Sequence, residues 1–396
     1  MNLVWFNQLD FGSLCRTSRL EMARALAGMG HRLMVVGRYR QSRPRLAPLT
    51  PRPLLLKQHL PDPLGGVLFQ LQVLMLATGA ILKAVDLIMV DHFCALTMLP
   101  LNLLSKIGLI RTKFILDIRS CPVDIVGTRY RVSRCRYNLS VRLSKLFYDG
   151  ITTVSSAYRD DISTRFSISP GRIGVWTSGV AAKLFNPGRV DMAQANSLRY
   201  KLGLQDRLVI MYHGVLSPYR GLQDVVEAMS LLNSEDERQA VFVLLGDGPG
   251  VSEIITLARK TGIEDAIMII SPVPHKDVRY YLSVCDAGIL PYPDIEWLNM
   301  NTPLKLLEYM AMQKPVILTD IRAHRAVTGD AQCAIYIEDN SPPNIANAIR
   351  RLAEQKSALS AIGKEGRRIV LQKFTWEKQA KNLLAYAGRL HREKSR

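Results

Sequence analysis

Short apolar runs separated by segments of helical pattern recur along the whole chain, and this alternation restricts the fold more than any single motif does. LVWF, LMVVG after Gly30-His31, DLIMVD, KFILD and GITTVS occupy the first half; RLVIMYHG, AVFVLLGDGPG, AIMII, AGILPY, PVILT and AIYI occupy the second. Runs this uniformly apolar have no face to offer water, so they suit strands of parallel sheets covered by helices. Parallel neighbours need crossovers, and segments such as SRLEMARALAGMG, LQDVVEAMSLL and VSEIITLARKTG supply them as amphipathic helices. The predicted class is α/β, with two doubly wound, Rossmann-like parallel-sheet domains in tandem. Phe185-Asn186-Pro187-Gly188 marks the break. It gives an N-terminal domain at 1–187, a polar linker at 188–207, a second domain at 208–372 and a closing helix at 373–396. Two such domains facing across a cleft would line it with the carboxyl ends of their strands, where sheets of this kind bind ligands.

The 396 residues, 48% of them hydrophobic, suffice for two cores of ordinary size. Charge is uneven: residues 1–200 hold 27 Lys and Arg against 11 Asp and Glu, and the remainder holds 25 against 23. The basic first half suits a polyanionic partner, either nucleic acid or the anionic headgroups of a membrane. RYRVSRCRYNLSVRLSKLFY, residues 129–148, is a basic amphipathic segment fit for a membrane surface. LGGVLFQLQVLMLATGAIL, residues 64–82, approaches the length of a membrane span, but its glutamines and glycines favour a buried or interface helix. Six cysteines without paired spacing indicate neither a zinc site nor a disulfide framework, and MNLVWFNQLDFG lacks the pattern of a secretory signal. A reducing cytoplasm is the expected compartment. Residues 40–65, rich in Pro and Arg, read as an exposed loop.

Residues 291–319, PYPDIEWLNMNTPLKLLEYMAMQKPVILT, combine the strongest local signals. An apolar strand closes on two prolines, Asn301-Thr302-Pro303 starts a helix, and VILTD opens the next strand. A helix N-terminus at the carboxyl end of a parallel strand holds phosphate readily, because free N–H groups and the helix dipole both favour an anion. Lys305 adds a full positive charge in the first turn, and Glu308, one turn on, is placed to accept hydrogen bonds from sugar hydroxyls. The loops Gly214–Gly221 (GVLSPYRG) and Gly246–Pro249 should join this unit along one rim, with Arg220 just before a helix start.

The runs HGVLSPYRGLQDVVEAM, LGDGPG, VPHKDVRYYLSVCDAGILPYP and TPLKLLEYMAMQKPVILTD resemble the retaining GT-B glycosyltransferases of family 4. TVSSAYRDDI to VWTSGVAAKLFNP, GMGHRLMVVG and FTWEKQAKNLLAYAGRL extend the likeness over most of the chain. The resemblance implies a nucleotide-sugar donor, UDP- or GDP-linked, with no separate cofactor. It makes Arg220 the contact of the leaving diphosphate and Glu308 the contact of the ribose, with Lys305 facing the diphosphate or donor sugar. Gly214 and Gly246 would let the backbone approach the nucleotide, Val273 lies in the base-contacting segment, and Asn301, Thr302 and Leu304 would face the diphosphate or donor sugar. The departures are specific. Met300 stands where the family has a first glutamate, so the usual contact to the donor sugar is missing or taken by Asn299 or Asn301, and Val215 replaces a second cation. Many members carry a histidine after the strand aligned with KFILD, and Arg119 is its nearest equivalent here.

On the acceptor side, His92 after DLIMVD and Asp117 beside Arg119 complete the candidate catalytic group. No Asp-x-Asp motif occurs, so a metal clamp on the diphosphate is not indicated. The expected activity is retaining sugar transfer to a lipid-linked or envelope glycan acceptor, by a metal-independent hexosyltransferase resting on the inner face of the membrane. No nucleic-acid partner is expected. Two alternatives remain open: a nucleotide-sugar epimerase on the same fold, and a catalytically silent basic membrane-binding protein.

Overall fold

The computed structural model describes residues 1–11, 17–40, 52–122, 127–233, 240–354 and 356–393. Residues 12–16 and part of the Pro- and Arg-rich stretch, 41–51, lie outside them. The chain divides into two compact units, one made of Met1–Ser178 with Trp376–Arg396, the other of Gly179–Thr375.

Unit 1 is built on a parallel sheet of seven strands: β1 Asn2–Asp10, β2 Arg32–Tyr39, β3 Leu54–Lys57, β4 Leu87–Val90, β5 Lys113–Ile118, β6 Gly150–Thr153 and β7 Ile173–Val175. Their order across the sheet is β3-β2-β1-β4-β5-β6-β7. The middle strands are buried on both faces, as uninterrupted runs such as LIMV and KFIL require. The sequence reading of residues 40–65 as loop is corrected at β3, where Leu54–Lys57 pairs in parallel with Val36–Tyr39. The Pro-rich flanks obscured a four-residue apolar edge strand. The helix Trp376–Glu393 packs against Thr17–Gly28 and β7. It anchors there through Tyr386, whose hydroxyl accepts from Ile151 N at 3.1 Å and donates to Arg172 O. Gly150 and Gly174 leave room for the ring, since a Cβ on either would stand 2.2 or 2.6 Å from a Tyr386 atom. Gln379 adds a bond from Thr177 N at 2.9 Å.

Unit 2 repeats the plan with six parallel strands: β8 Leu208–Val215, β9 Ala240–Asp247, β10 Ile267–Ile270, β11 Ala287–Leu290, β12 Val316–Thr319 and β13 Ile335–Ile337. The order is β10-β9-β8-β11-β12-β13. Strand order therefore reverses direction between β8 and β11, the switch point at which open parallel sheets leave a crevice at their carboxyl ends. Helices cover the sheet, and their ends carry the residues the geometry demands. Asp191 caps Met192–Lys201 by accepting from Ala193 N and Gln194 N, and Gly262 closes Val251–Thr261 in the left-handed region. The fold is the GT-B type, two Rossmann-like parallel-sheet domains in one chain.

Candidate active site

The switch point of unit 2 gathers polar side chains from four segments. β8 lies between β9 and β11, with Gly214 paired to Gly246 and Ile210 to Ala287. It ends in Tyr212, His213 and Gly214, while β11 runs into Tyr292 and then the helix Leu304–Ala311. The two strand ends can approach because Gly246 has no side chain. A Cβ on Gly246 would stand 1.9 Å from Gly214 O, and its φ of +154° lies where side chains are rarely accommodated. Gly246→Ala should lower the unfolding free energy by about 1–3 kcal/mol, read as a reduced urea midpoint.

Glu308 is buried on the inner side of its helix, and its two oxygens accept from His213 Nε2 and His275 Nε2, each at 2.7 Å. An ionised carboxylate can only accept, so both imidazoles must carry hydrogen at Nε2. Burial alone would raise the Glu308 pKa, but the bonds from His213 and His275 outweigh it and hold the carboxyl at about 2. Burial lowers the pKa of His213, which leaves this imidazole a neutral donor at neutral pH. His275 is more open and lies 5.2 Å, centroid to centroid, from the buried ring of Phe185.

Lys305 and Arg220 form the cationic half of the site. Lys305 Nζ donates to Tyr212 Oη at 2.6 Å and to Tyr292 Oη at 3.3 Å, and Arg220 Nη1 donates to Tyr292 Oη at 3.0 Å. The ammonium also stands 4.1 Å from the Tyr212 ring centroid, and its end lies against Gly214. Loss of water pulls the Lys305 pKa down, and Arg220 adds to the effect. Burial pushes the Tyr292 phenol up, but the charges of Lys305 and Arg220 more than offset it, so it lies below the ordinary tyrosine range. Two cations that converge on one phenol at the carboxyl edge of a parallel sheet fit an anionic ligand.

Around this centre, Thr302 is buried at the helix start and Leu304 is the first helical residue. Val273 is partly buried two residues before His275. Asn301 Nδ2 donates to Trp297 O at 2.7 Å; Asn299 bonds Asp294 and accepts from Ala323 N at 3.2 Å. Both candidates for the missing acid are thus engaged in shaping their own loop.

The sequence assigned no role to Tyr212, His213, His275 or Tyr292. The signal was an apolar strand, RLVIMYHG, that ends in two polar rings at the carboxyl edge of a parallel sheet.

The acceptor-side candidates lie in unit 1. Asp117, buried in β5, accepts from Thr152 Oγ1 at 2.6 Å, and burial raises its pKa against the opposing charge of Arg119. Arg119 donates to Trp176 O at 2.6 Å, and its guanidinium lies 3.5 Å from the Trp176 ring centroid. Burial lowers its pKa to about 9. His92, at the end of β4, sits elsewhere, between the rings of Phe93 and Tyr137. Burial lowers its pKa to about 4, and among the described residues its Nε2 has no hydrogen-bond partner. Asp117 and Arg119 thus form a pair that His92 does not join.

Residues 195–369 match the family model of glycosyl transferases group 1. They are similar to a group 1 glycosyl transferase domain, and the matched stretch contains Gly214, Arg220, Gly246, Lys305 and Glu308 together with both histidines. Among relatives, the chain is 26% identical over 164 residues to an alpha-D-kanosaminyltransferase of Streptomyces kanamyceticus, covering 41% of this chain and 40% of the relative. It is 27% identical over 240 residues to an MMP alpha-(1->4)-mannosyltransferase of Mycolicibacterium hassiacum, covering 59% and 53%. The matched region thus spans about half the length of these relatives or less. In structure, the chain resembles the Anabaena protein Alr3699/HepE, solved in complex with UDP, at a TM-score of 0.71 and 16% identity over 97% of this chain and 99% of the other. It also resembles a sucrose-phosphate synthase of Thermosynechococcus elongatus, at a TM-score of 0.75 and 17% identity over 99% of both. At these identities the likeness establishes the fold around the group 1 domain.

Proposed function

We propose that the protein is a glycosyltransferase that moves a sugar from a nucleotide-sugar donor to a lipid-linked or envelope glycan acceptor, with retention of configuration. The observation that carries this reading is the convergence of Lys305, Arg220 and Glu308 at the switch point of unit 2. The two cations would take the donor diphosphate, and the start of the helix Leu304–Ala311 would add its free N–H groups. Glu308, fixed as an acceptor, would take the ribose hydroxyls. Val273 and His275 would border the base, and Gly214 and Gly246 would admit it. Asn301, Thr302 and Leu304 would lie nearest the donor sugar. As the sugar leaves, the charge on the departing diphosphate would be met by side-chain cations, so the transfer is proposed to be metal-independent. UDP and GDP are the nucleotides to test first, and HepE, a fold neighbour, was solved with UDP.

Arg119, Asp117 and His92 are proposed to face the acceptor. A lipid-linked acceptor places the enzyme at the cytoplasmic face of a membrane, in keeping with its basic first half. Epimerisation is less favoured: a carboxyl held at about pKa 2 is unfit to shuttle protons at neutral pH.

Thermal unfolding of the full chain with a panel of nucleotides and nucleotide sugars tests the reading. Stabilisation by UDP or GDP and their sugars is expected; no response to any of them would overturn it.

A further inference from the structure

The helix Leu64–Leu82 departs from the usual pattern of a surface helix. Gly65, Phe69, Val73 and Ala77 are buried on its inner side. Its outward side chains recur at helical spacing as Leu64, Val67, Leu68, Leu71, Met75 and Leu82, each 39–82% exposed. Thr78, on the same stripe, returns its hydroxyl to Leu74 O at 3.0 Å. The helix is apolar on both sides, and such a surface requires an apolar partner outside the unit.

The neighbouring helices indicate which partner. The steps β3 to β4, β4 to β5 and β5 to β6 all move in one direction along the sheet. Right-handed crossovers therefore put Leu64–Leu82, Leu99–Lys106 and Gly127–Phe147 on the same face. Thr17–Gly28, whose step runs the other way, lies opposite. Exposed apolar residues continue across the layer with Leu103, Ile107 and Leu109, then Val132, Leu139 and Leu146. Lys106, Arg129, Arg131, Arg142 and Lys145 are exposed among them, and none of the three helices contains an Asp or Glu.

We infer that this face docks on an anionic lipid bilayer, with Leu64–Leu82 lying in the plane of the interface. On these three helices apolar side chains interleave with Lys and Arg and with no acid, which matches the acyl and headgroup layers of such a surface; on Ser156–Phe166, the fourth helix of that face, Asp160 and Asp161 are each paired with an arginine. A second copy on the same face would bring like charges together. Spanning would strip Phe69 and Val73 from the core and break the bond from Thr97 Oγ1 to Gln70 Oε1, 2.6 Å. The inference rests on the membrane partner proposed above and supplies its contact surface; it is independent of the donor site.

The test is co-sedimentation of the full chain with vesicles of phosphatidylcholine alone or mixed equally with phosphatidylglycerol. UDP binding is measured on the same preparations. The parent should sediment with the mixed vesicles only. Leu71→Glu with Met75→Glu, and separately Arg131→Glu with Arg142→Glu, should each weaken that partition about tenfold or more and leave UDP binding unchanged. All four side chains are exposed, so folding should survive. Failure of the parent to sediment, equal sedimentation with neutral vesicles, or a dimer dissolved by the Leu71 and Met75 changes would each overturn the docking. Retained UDP binding in those cases would leave the donor site standing, whereas lost UDP binding with intact sedimentation would strike the transferase reading alone.

Discussion

Glu308→Ala is expected to reduce affinity for UDP or GDP about 100-fold and to destabilise unit 2 by about 3 kcal/mol. Both effects follow from the same geometry. The carboxylate accepts from two imidazoles 95 and 33 residues distant in sequence, and both it and His213 are buried. Its removal leaves the buried His213 donor without a partner, a loss larger than that of the bond itself. Glu308→Gln keeps the volume but presents an NH2 group to one of the two N–H donors, so it should fall between parent and alanine. The pH dependence has a definite sign. The folded pKa of about 2 lies below the ordinary 4.5, so the stabilisation is complete above pH 4.5 and is lost as pH falls towards 2. Denaturant unfolding between pH 2 and 7 should show this loss in the parent and a flatter profile in Glu308→Ala. Calorimetric titration with nucleotide gives the affinity, and parent-like binding by both variants would remove Glu308 from the nucleoside site.

Lys305→Met is expected to act in the opposite direction on stability while impairing transfer as severely. Its ammonium is held by two tyrosine hydroxyls, close to a second cation, with its pKa pulled down by the loss of water. An apolar chain of similar length removes that electrostatic cost, so the variant should be no less stable than the parent. The proposed role of Lys305 is to meet charge that grows as the diphosphate departs. Turnover should therefore drop about 10²–10³-fold, with a smaller change in KM. Arg220→Ala should produce a similar loss, and the double variant less than the product of the two, because both cations act on one diphosphate. Initial rates against donor concentration, with unfolding curves for each variant, check the prediction. A Lys305→Met enzyme with parent turnover would place the diphosphate elsewhere.

The strands were legible because fully buried parallel strands are written as unbroken apolar runs, and the helix bearing Lys305 and Glu308 because its start is marked by Asn-Thr-Pro. His213 and His275 were not, since their meeting at Glu308 depends on β8 lying beside β11, a neighbour relation set by topology rather than spacing. Arg119 and Trp176, 57 residues apart, illustrate the same limit in unit 1. β3 was hidden by its Pro-rich flanks. The helix Leu64–Leu82 was visible as a helix but not as a surface: with apolar residues on every side, its periodicity cannot say which face turns inward. Only the burial of Phe69 and Val73 and the exposure of Leu71 and Met75 decide it.

The return of Trp376–Glu393 to unit 1 bears on the order in which the molecule is made. During translation, Gly179–Thr375 emerges as one continuous piece holding every strand of its own sheet, and can close as soon as it leaves the ribosome. The preceding 178 residues also hold every strand of their sheet, but the slot between Gly150 and Gly174 stays empty until Tyr386 arrives. The part synthesised first is therefore completed last. For that interval the growing chain carries all seven strands of the first sheet while the helix Thr17–Gly28 still lacks its cover, Trp376–Glu393.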